Sequence, residues 1–143
     1  MARPGFPLSL PEFFRMFPDE RACVQFVIDS RWPDGEPICP KCGLDTTYPR
    51  KDRPEGRKCA KCGYIFSVTA GTVMENTKLP LSIWLQAAFL MVTDKRGISA
   101  KQLQRALAIK RYETAWSMLQ KLRAAMVNPD RSKLTGRVEV DES

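Results

Sequence analysis

The chain has 143 residues, with 23 Lys and Arg against 16 Asp and Glu, a formal net charge of +7. A hydrophobic share of 43% with 27% charged side chains excludes a disordered tail, and the longest uncharged stretch, 79–93, is shorter than the ~18–20 apolar residues that a membrane span needs. Histidine is absent, which excludes Ser/His and Cys/His nucleophile pairs and leaves thiolates to build any soft-metal site.

Pro-interrupted residues at the N-terminus show no secretory signal, so a cytoplasmic location is expected, with the five cysteines reduced. Ser9-Leu10-Pro11-Glu12 reads as a capping box that starts a short helix through Phe17. Pro18-Asp19 breaks it, and Cys23, Phe26 and Val27 recur at helical spacing on a second helix over about 20–31. Cys23 lies on the apolar face of that helix and reads as a small core residue. The turn Arg31-Trp32-Pro33-Asp34-Gly35 ends it.

Next comes the most specific pattern in the chain. Cys39-Pro-Lys-Cys42-Gly43 and Cys59-Ala-Lys-Cys62-Gly63 give the spacing C-x2-C-x16-C-x2-C of a tetrahedral thiolate site. Two residues between thiolates allow one tight turn to present both sulfurs to one ion, and the glycine that follows is free to adopt positive φ. Two such knuckles on short hairpins make a zinc ribbon. With four protein ligands no coordination position stays open for water, so Cys39, Cys42, Cys59 and Cys62 are expected to hold structural zinc without catalysis. A single-iron site and a redox dithiol share the C-x-x-C spacing. The cations Lys41, Arg50, Lys51, Arg53, Arg57, Lys58 and Lys61 favour zinc beside a polyanion. A β-rich run, Tyr64–Val68, continues from the second knuckle.

Residues 79–92 are apolar on nearly every side and predict a buried helix with Trp84, Phe89 and Met91 in the core. Ser99 with Gln102 forms a second capping box, with Leu103 and Leu107 inward and Lys101, Gln104 and Arg105 outward. After Ala108-Ile109-Lys110 a longer helix is expected over about 111–126, with Ala115, Met118, Leu119, Leu122 and Met126 as its apolar stripe. A short helix, a three-residue turn and a longer helix with a polar outer face predict a DNA-binding helix-turn-helix. Lys110, Arg111, Tyr112, Thr114 and Ser117 would lead into the major groove. Lys95, Arg96, Lys101, Arg105, Lys121 and Arg123 would hold phosphates. Charge supports this placement: residues 1–38 carry four Lys and Arg against six Asp and Glu, residues 81–136 ten against three. Ala108 stands where glycine is more usual in such a turn.

Taken in order, MFPDERAC, RWPDG, CPKCG, CAKCG, FSVTAGTVMENTKLPLSIW, GISAKQLQRAL, ETAWSMLQKLRAAM and VEVDES resemble the N-terminal part of bacterial zinc-ribbon transposases of insertion-sequence family 1595. The resemblance covers about residues 10–142, and departs at Ala108 and Lys110, where members more often carry Gly and Ser. It implies continuation into a ribonuclease-H-like domain whose acidic triad joins transposon ends to a target by two-metal phosphoryl transfer. The first carboxylate of that triad falls on Asp141, in the strand pattern of VEVDE.

The expected fold is a small, mostly helical α+β chain. It comprises N-terminal helices over 1–36, a four-cysteine zinc ribbon of short antiparallel strands over 37–78, a helix-turn-helix-like unit over 79–128, and a linker with the start of a catalytic strand over 129–143. The sequence stops at Ser143, and one carboxylate does not hold two metal ions, so this polypeptide alone is expected neither to cut nor to join DNA. Magnesium is accordingly expected only for a full-length catalytic domain. The expected function is recognition of transposon ends in double-stranded DNA, without a membrane or a small-molecule substrate. Two other readings stand beside it: a free-standing zinc-ribbon regulator that binds DNA or a polymerase subunit, and a protein-interaction module, a homodimer paired through the helix of residues 79–92.

Overall fold

In the computed structural model, which describes residues 5–127, three of the five described helices begin where the sequence supplies an oxygen cap. Ser9 Oγ accepts the Glu12 N–H to open α1 (Leu10–Met16). Asp19 Oδ1 accepts the Ala22 N–H at 2.8 Å to open α2 (Glu20–Arg31). The first capping box is displaced by one residue: Glu12 reaches back to the N–H of Leu8, not of Ser9.

Three short strands follow, β1 (Thr47–Pro49), β2 (Gly56–Cys59) and β3 (Ile65–Ser67), paired antiparallel in the order β1-β2-β3. Thr47 faces Cys59 and Arg57 faces Phe66 across the ladders. Beyond β3 the chain returns to the helices through Val68, which is fully buried and whose carbonyl accepts from Arg31 Nη1 of α2. The run FSVTAGT is a self-bonded turn. Ser67 Oγ accepts the Thr69 N–H, Thr72 Oγ1 donates to the Thr69 carbonyl at 2.6 Å, and Gly71 takes φ +76°.

The apolar stretch predicted from 79 forms α3 (Leu81–Thr93). It starts two residues late because Leu79 donates its N–H to Thr77 Oγ1, and Pro80 is the N-cap. Its near-continuous hydrophobicity has a simple cause, since α3 serves two cores at once. Leu81, Leu85 and Phe89, one helical stripe, pack with Phe13 and Phe17, with Cys23, Val24, Val27 and Ile28 of α2, and with Val68. Trp84 and Ala87 pack instead with Leu103, Ala115, Met118 and Leu119. The N-terminus of α3 has no cap from its own neighbours. Glu20 supplies one across the fold, its two carboxylate oxygens accepting from Leu81 N–H at 2.6 Å and Ser82 N–H at 3.1 Å. An acidic group there satisfies orphan donors and opposes the helix dipole. Cys23 is solvent-free in the first core, where burial first and then Glu20 and Asp19 push its thiol up to about 11.

The remaining helices are α4 (Ala100–Ala106), opened by the complete Ser99–Gln102 capping box, and α5 (Tyr112–Ala125). Helix α4 closes with a Schellman pair: Ile109 N–H bonds to the Gln104 carbonyl at 3.0 Å and Ala108 N–H to the Arg105 carbonyl at 3.4 Å. This closure needs a left-handed residue, and Ala108 takes φ +52°. An L-side chain in that region costs about 1 kcal/mol relative to glycine. Replacing Ala108 by glycine is therefore expected to raise the midpoint of thermal unfolding by a few degrees, as read by circular dichroism. A fall would show that the left-handed turn is not populated. Among the described residues no helix is long and apolar enough to cross a membrane.

Candidate metal centre and nucleic-acid interface

The two cysteine knuckles are built alike. In the first, Cys39 N–H bonds to the Leu44 carbonyl and Gly43 N–H to the Cys39 carbonyl, both at 2.9 Å. In the second, Cys59 N–H bonds to the Tyr64 carbonyl at 2.9 Å and Gly63 N–H to the Cys59 carbonyl at 3.2 Å. Gly43 and Gly63 sit at φ +75° and +68°, as the spacing requires. The β1–β2 register brings the knuckles side by side, and Thr47 Oγ1 ties the first to the Pro37 carbonyl.

All four Sγ atoms consequently lie within 4.8 Å of one another, with Cys39–Cys62 at 3.6 Å and Cys42–Cys59 at 3.4 Å. Sulfurs bound to one zinc ion at ~2.3 Å in a tetrahedron stand ~3.8 Å apart, so the cluster has the size as well as the donor set for zinc. The thiols divide one hydrogen-bonded set between them: the Cys62 backbone N–H holds the Cys59 thiol down to about 6, whereas Cys42, against the lowering by the Leu44 backbone N–H, is pushed up to about 11 by its hydrogen bond to Cys59 and its burial. Cys39 and Cys59 are buried with Phe66 and Leu44, whereas Cys42 and Cys62 are exposed. Four thiolates complete the coordination shell. These residues form a four-thiolate site that fits zinc and, with all four bound, would leave no position for an activated water.

The second predicted surface lies on α4 and α5. Ala115, Met118 and Leu119 of α5 are buried, with Leu122 partly so, while Met126, placed in the same stripe from sequence, is 62% exposed past the helix end. Arg111 is the N-cap of α5, one residue later than predicted. Two adjoining grooves collect part of the predicted set. Lys110, Arg111 and Thr114 line one together with Lys78, and Arg111, Thr114, Ser117 and Lys121 line the other beside Trp84. Lys101 and Arg105 are exposed on α4 and line neither groove, and Tyr112 stands apart at 47% exposure. Arg111 and Glu113 approach to 3.8 Å, but their side chains are 78% and 75% exposed and the pair adds little to stability. Arg123 is exposed, and its Nη2 donates to the Ile98 carbonyl at 3.3 Å. Asp141 lies outside the described residues.

Sequence reasoning passed over three residues. Trp116 of α5 is 51% exposed, four positions after Tyr112 on the same side, although its apolar character suggests a core position. Arg57 is buried on β2, bonded through Nη2 to Glu36 at 2.8 Å. Glu20 caps a helix sixty-one residues away. The run of cations around the knuckles was the one signal that touched Arg57, and it carried no hint of burial.

Comparison with known proteins agrees with the ribbon. Residues 18–65 match the family model described as the transposase zinc-ribbon domain. Over 130 residues, 90% of its length, the chain is 27% identical to a protein of Halobacterium salinarum (strain ATCC 700922 / JCM 11081 / NRC-1) described as "Uncharacterized protein in transposable element ISH50". It spans 42% of that relative. No solved structure matches the chain significantly.

Proposed function

From the premise that residues 18–65 form a transposase zinc-ribbon domain, we propose that the chain is the DNA-recognition part of a transposase, reading transposon ends in duplex DNA with α5. One observation carries this reading beyond the family match. The exposed side of α5 and the turn before it gather Lys110, Arg111, Thr114, Ser117 and Lys121 around two adjoining grooves, while the opposite side is locked into the second core. Cations and hydroxyls at the N-terminal end of a second helix are what a helix-turn-helix offers to base edges and phosphates. The ribbon supplies further positive charge through Lys41, Lys58 and Lys61.

In this reading the segments divide as 1–36, 37–78, 79–128 and 129–143. Asp141 supplies the first carboxylate of the acidic site that the resemblance to insertion-sequence transposases implies. Strand transfer by the whole protein belongs to the same proposal. Pairing of two chains through α3 is disfavoured, because positions 81–91 are buried or half-buried within the chain and Val92 is its exposed large side chain.

Fluorescence anisotropy with labelled duplex tests the reading. With about five phosphates contacted, log K against log salt concentration is expected to fall with a slope near −4 to −5. Reversing Lys110 and Arg111 to glutamate should weaken binding at least tenfold at moderate salt. Affinity that ignores salt, or a double variant that binds as tightly as the unaltered chain, overturns it.

A further inference from the structure

A basic cleft separates α2 from the ribbon sheet, and neither the metal centre nor α5 uses it. It encloses about 460 Å³. Val24 and Ile28 of α2 form an apolar wall, and Arg21, Arg50, Lys51 and Arg57 bring four positive charges to its lining, which includes no carboxylate.

Two of those charges are already answered. Arg50 is paired with Asp52, Nε to Oδ1 at 2.8 Å, and Arg57 with Glu36. Arg21 and Lys51 are exposed, and among the described residues neither has an ion-pair partner. Arg57 is the unusual member. It is 8% exposed, and its Nε–H is buried without an acceptor. An unsatisfied buried donor is costly, the more so on a charged group, and the described residues supply no acceptor for this one.

We propose that this cleft holds one phosphodiester group of the DNA backbone, which accepts from the Arg57 Nε–H while Arg21 and Lys51 flank it from α2 and from the β1–β2 connection. The planar guanidinium, held in place by Glu36, presents its donor in a fixed direction. The inference rests on duplex binding as read above and extends it: the α2–ribbon unit would fix the register of the protein on DNA through a contact that carries no sequence information.

Arg21→Ala/Lys51→Ala tests the site, because both side chains are exposed and their loss leaves the cores and cysteines intact. Loss of one phosphate contact should make the salt slope shallower by about 0.9, which corresponds to binding about eightfold weaker at 0.1 M salt. In the unaltered, zinc-loaded protein, the Arg57 Nε–H resonance should move on addition of duplex and stay in place with inorganic phosphate at the same phosphate concentration. An unchanged slope with a stationary resonance, in a protein that still binds duplex through α5, overturns this site and leaves the α5 reading standing. Movement with inorganic phosphate and none with duplex overturns the assignment to DNA. Failure of the unaltered chain to bind duplex at all overturns the reading of α5, and this site with it.

Discussion

Replacing Cys59 by serine is expected to abolish stoichiometric zinc and to melt the ribbon while α1 to α5 persist. The ribbon has little else to hold it. Its strands are three, four and three residues long, and its own buried cluster is Cys39, Cys59 and Phe66 with Leu44 against them. So small a sheet cannot bury enough apolar surface to offset its chain entropy. Structural zinc contributes ~10–16 kcal/mol in isolated finger peptides, comparable with the whole stability of an ordinary domain at ~5–15 kcal/mol. The helices stand on their own cores, which meet the ribbon through Val68 and the Arg31 bond to its carbonyl. Elemental analysis should find one zinc per unaltered chain and none in the variant. Amide resonances of residues 38–67 should collapse towards unfolded positions while helical ellipticity is largely kept. A metal-free variant with an intact ribbon would refute the structural role, and a strong chelator acting on the unaltered chain should reproduce the same loss.

The second large effect is expected at Trp84, where alanine should destabilise the helical part by ~3–5 kcal/mol, the range for a deleted buried aromatic side chain. Trp84 is 5% exposed in the second core, and its Nε1–H donates to Thr77 Oγ1 at 2.8 Å. The same threonine oxygen accepts from Leu79 N–H, so the indole also anchors the turn that leads into α3. Because Trp84 lines a groove with Arg111, Thr114 and Lys121, its loss should loosen α5 and weaken duplex binding at temperatures where the protein remains folded. Trp84→Phe keeps most of the volume and loses the hydrogen bond, so a cost nearer ~1–2 kcal/mol is expected. Equilibrium urea unfolding separates the two variants. Equal and small costs for both would mean that the pocket collapses around the missing ring.

How much of this could be read beforehand depended on the range of the interaction. The zinc ligands were legible because each pair is placed by a single turn, and spacing in sequence fixes spacing in space over four residues. The Ser99–Gln102 box, the limits of α2 and the apolar stripe of α5 as far as Leu122 were legible for the same reason: caps and helical periods act within one or two turns. The strings from MFPDERAC to VEVDES resemble those of zinc-ribbon transposases, and the family match to residues 18–65 agrees.

Tertiary structure decided what depends on groups distant in sequence. Periodicity showed that α3 is buried but not that Leu81, Leu85 and Phe89 serve one core and Trp84 and Ala87 another, since a helix apolar on all sides gives no preferred face. No local pattern marks Glu20 as the cap of α3, because Pro80 offers the helix no side-chain acceptor and the carboxylate comes from α2, distant in sequence. Burial of Arg57 and exposure of Trp116 likewise run against residue type, and only the placement of neighbouring elements produces them. Local chemistry thus determined where the four sulfurs gather and where α1, α2 and α4 begin. Packing between distant segments determined which faces are left open, and so where a partner can meet this protein.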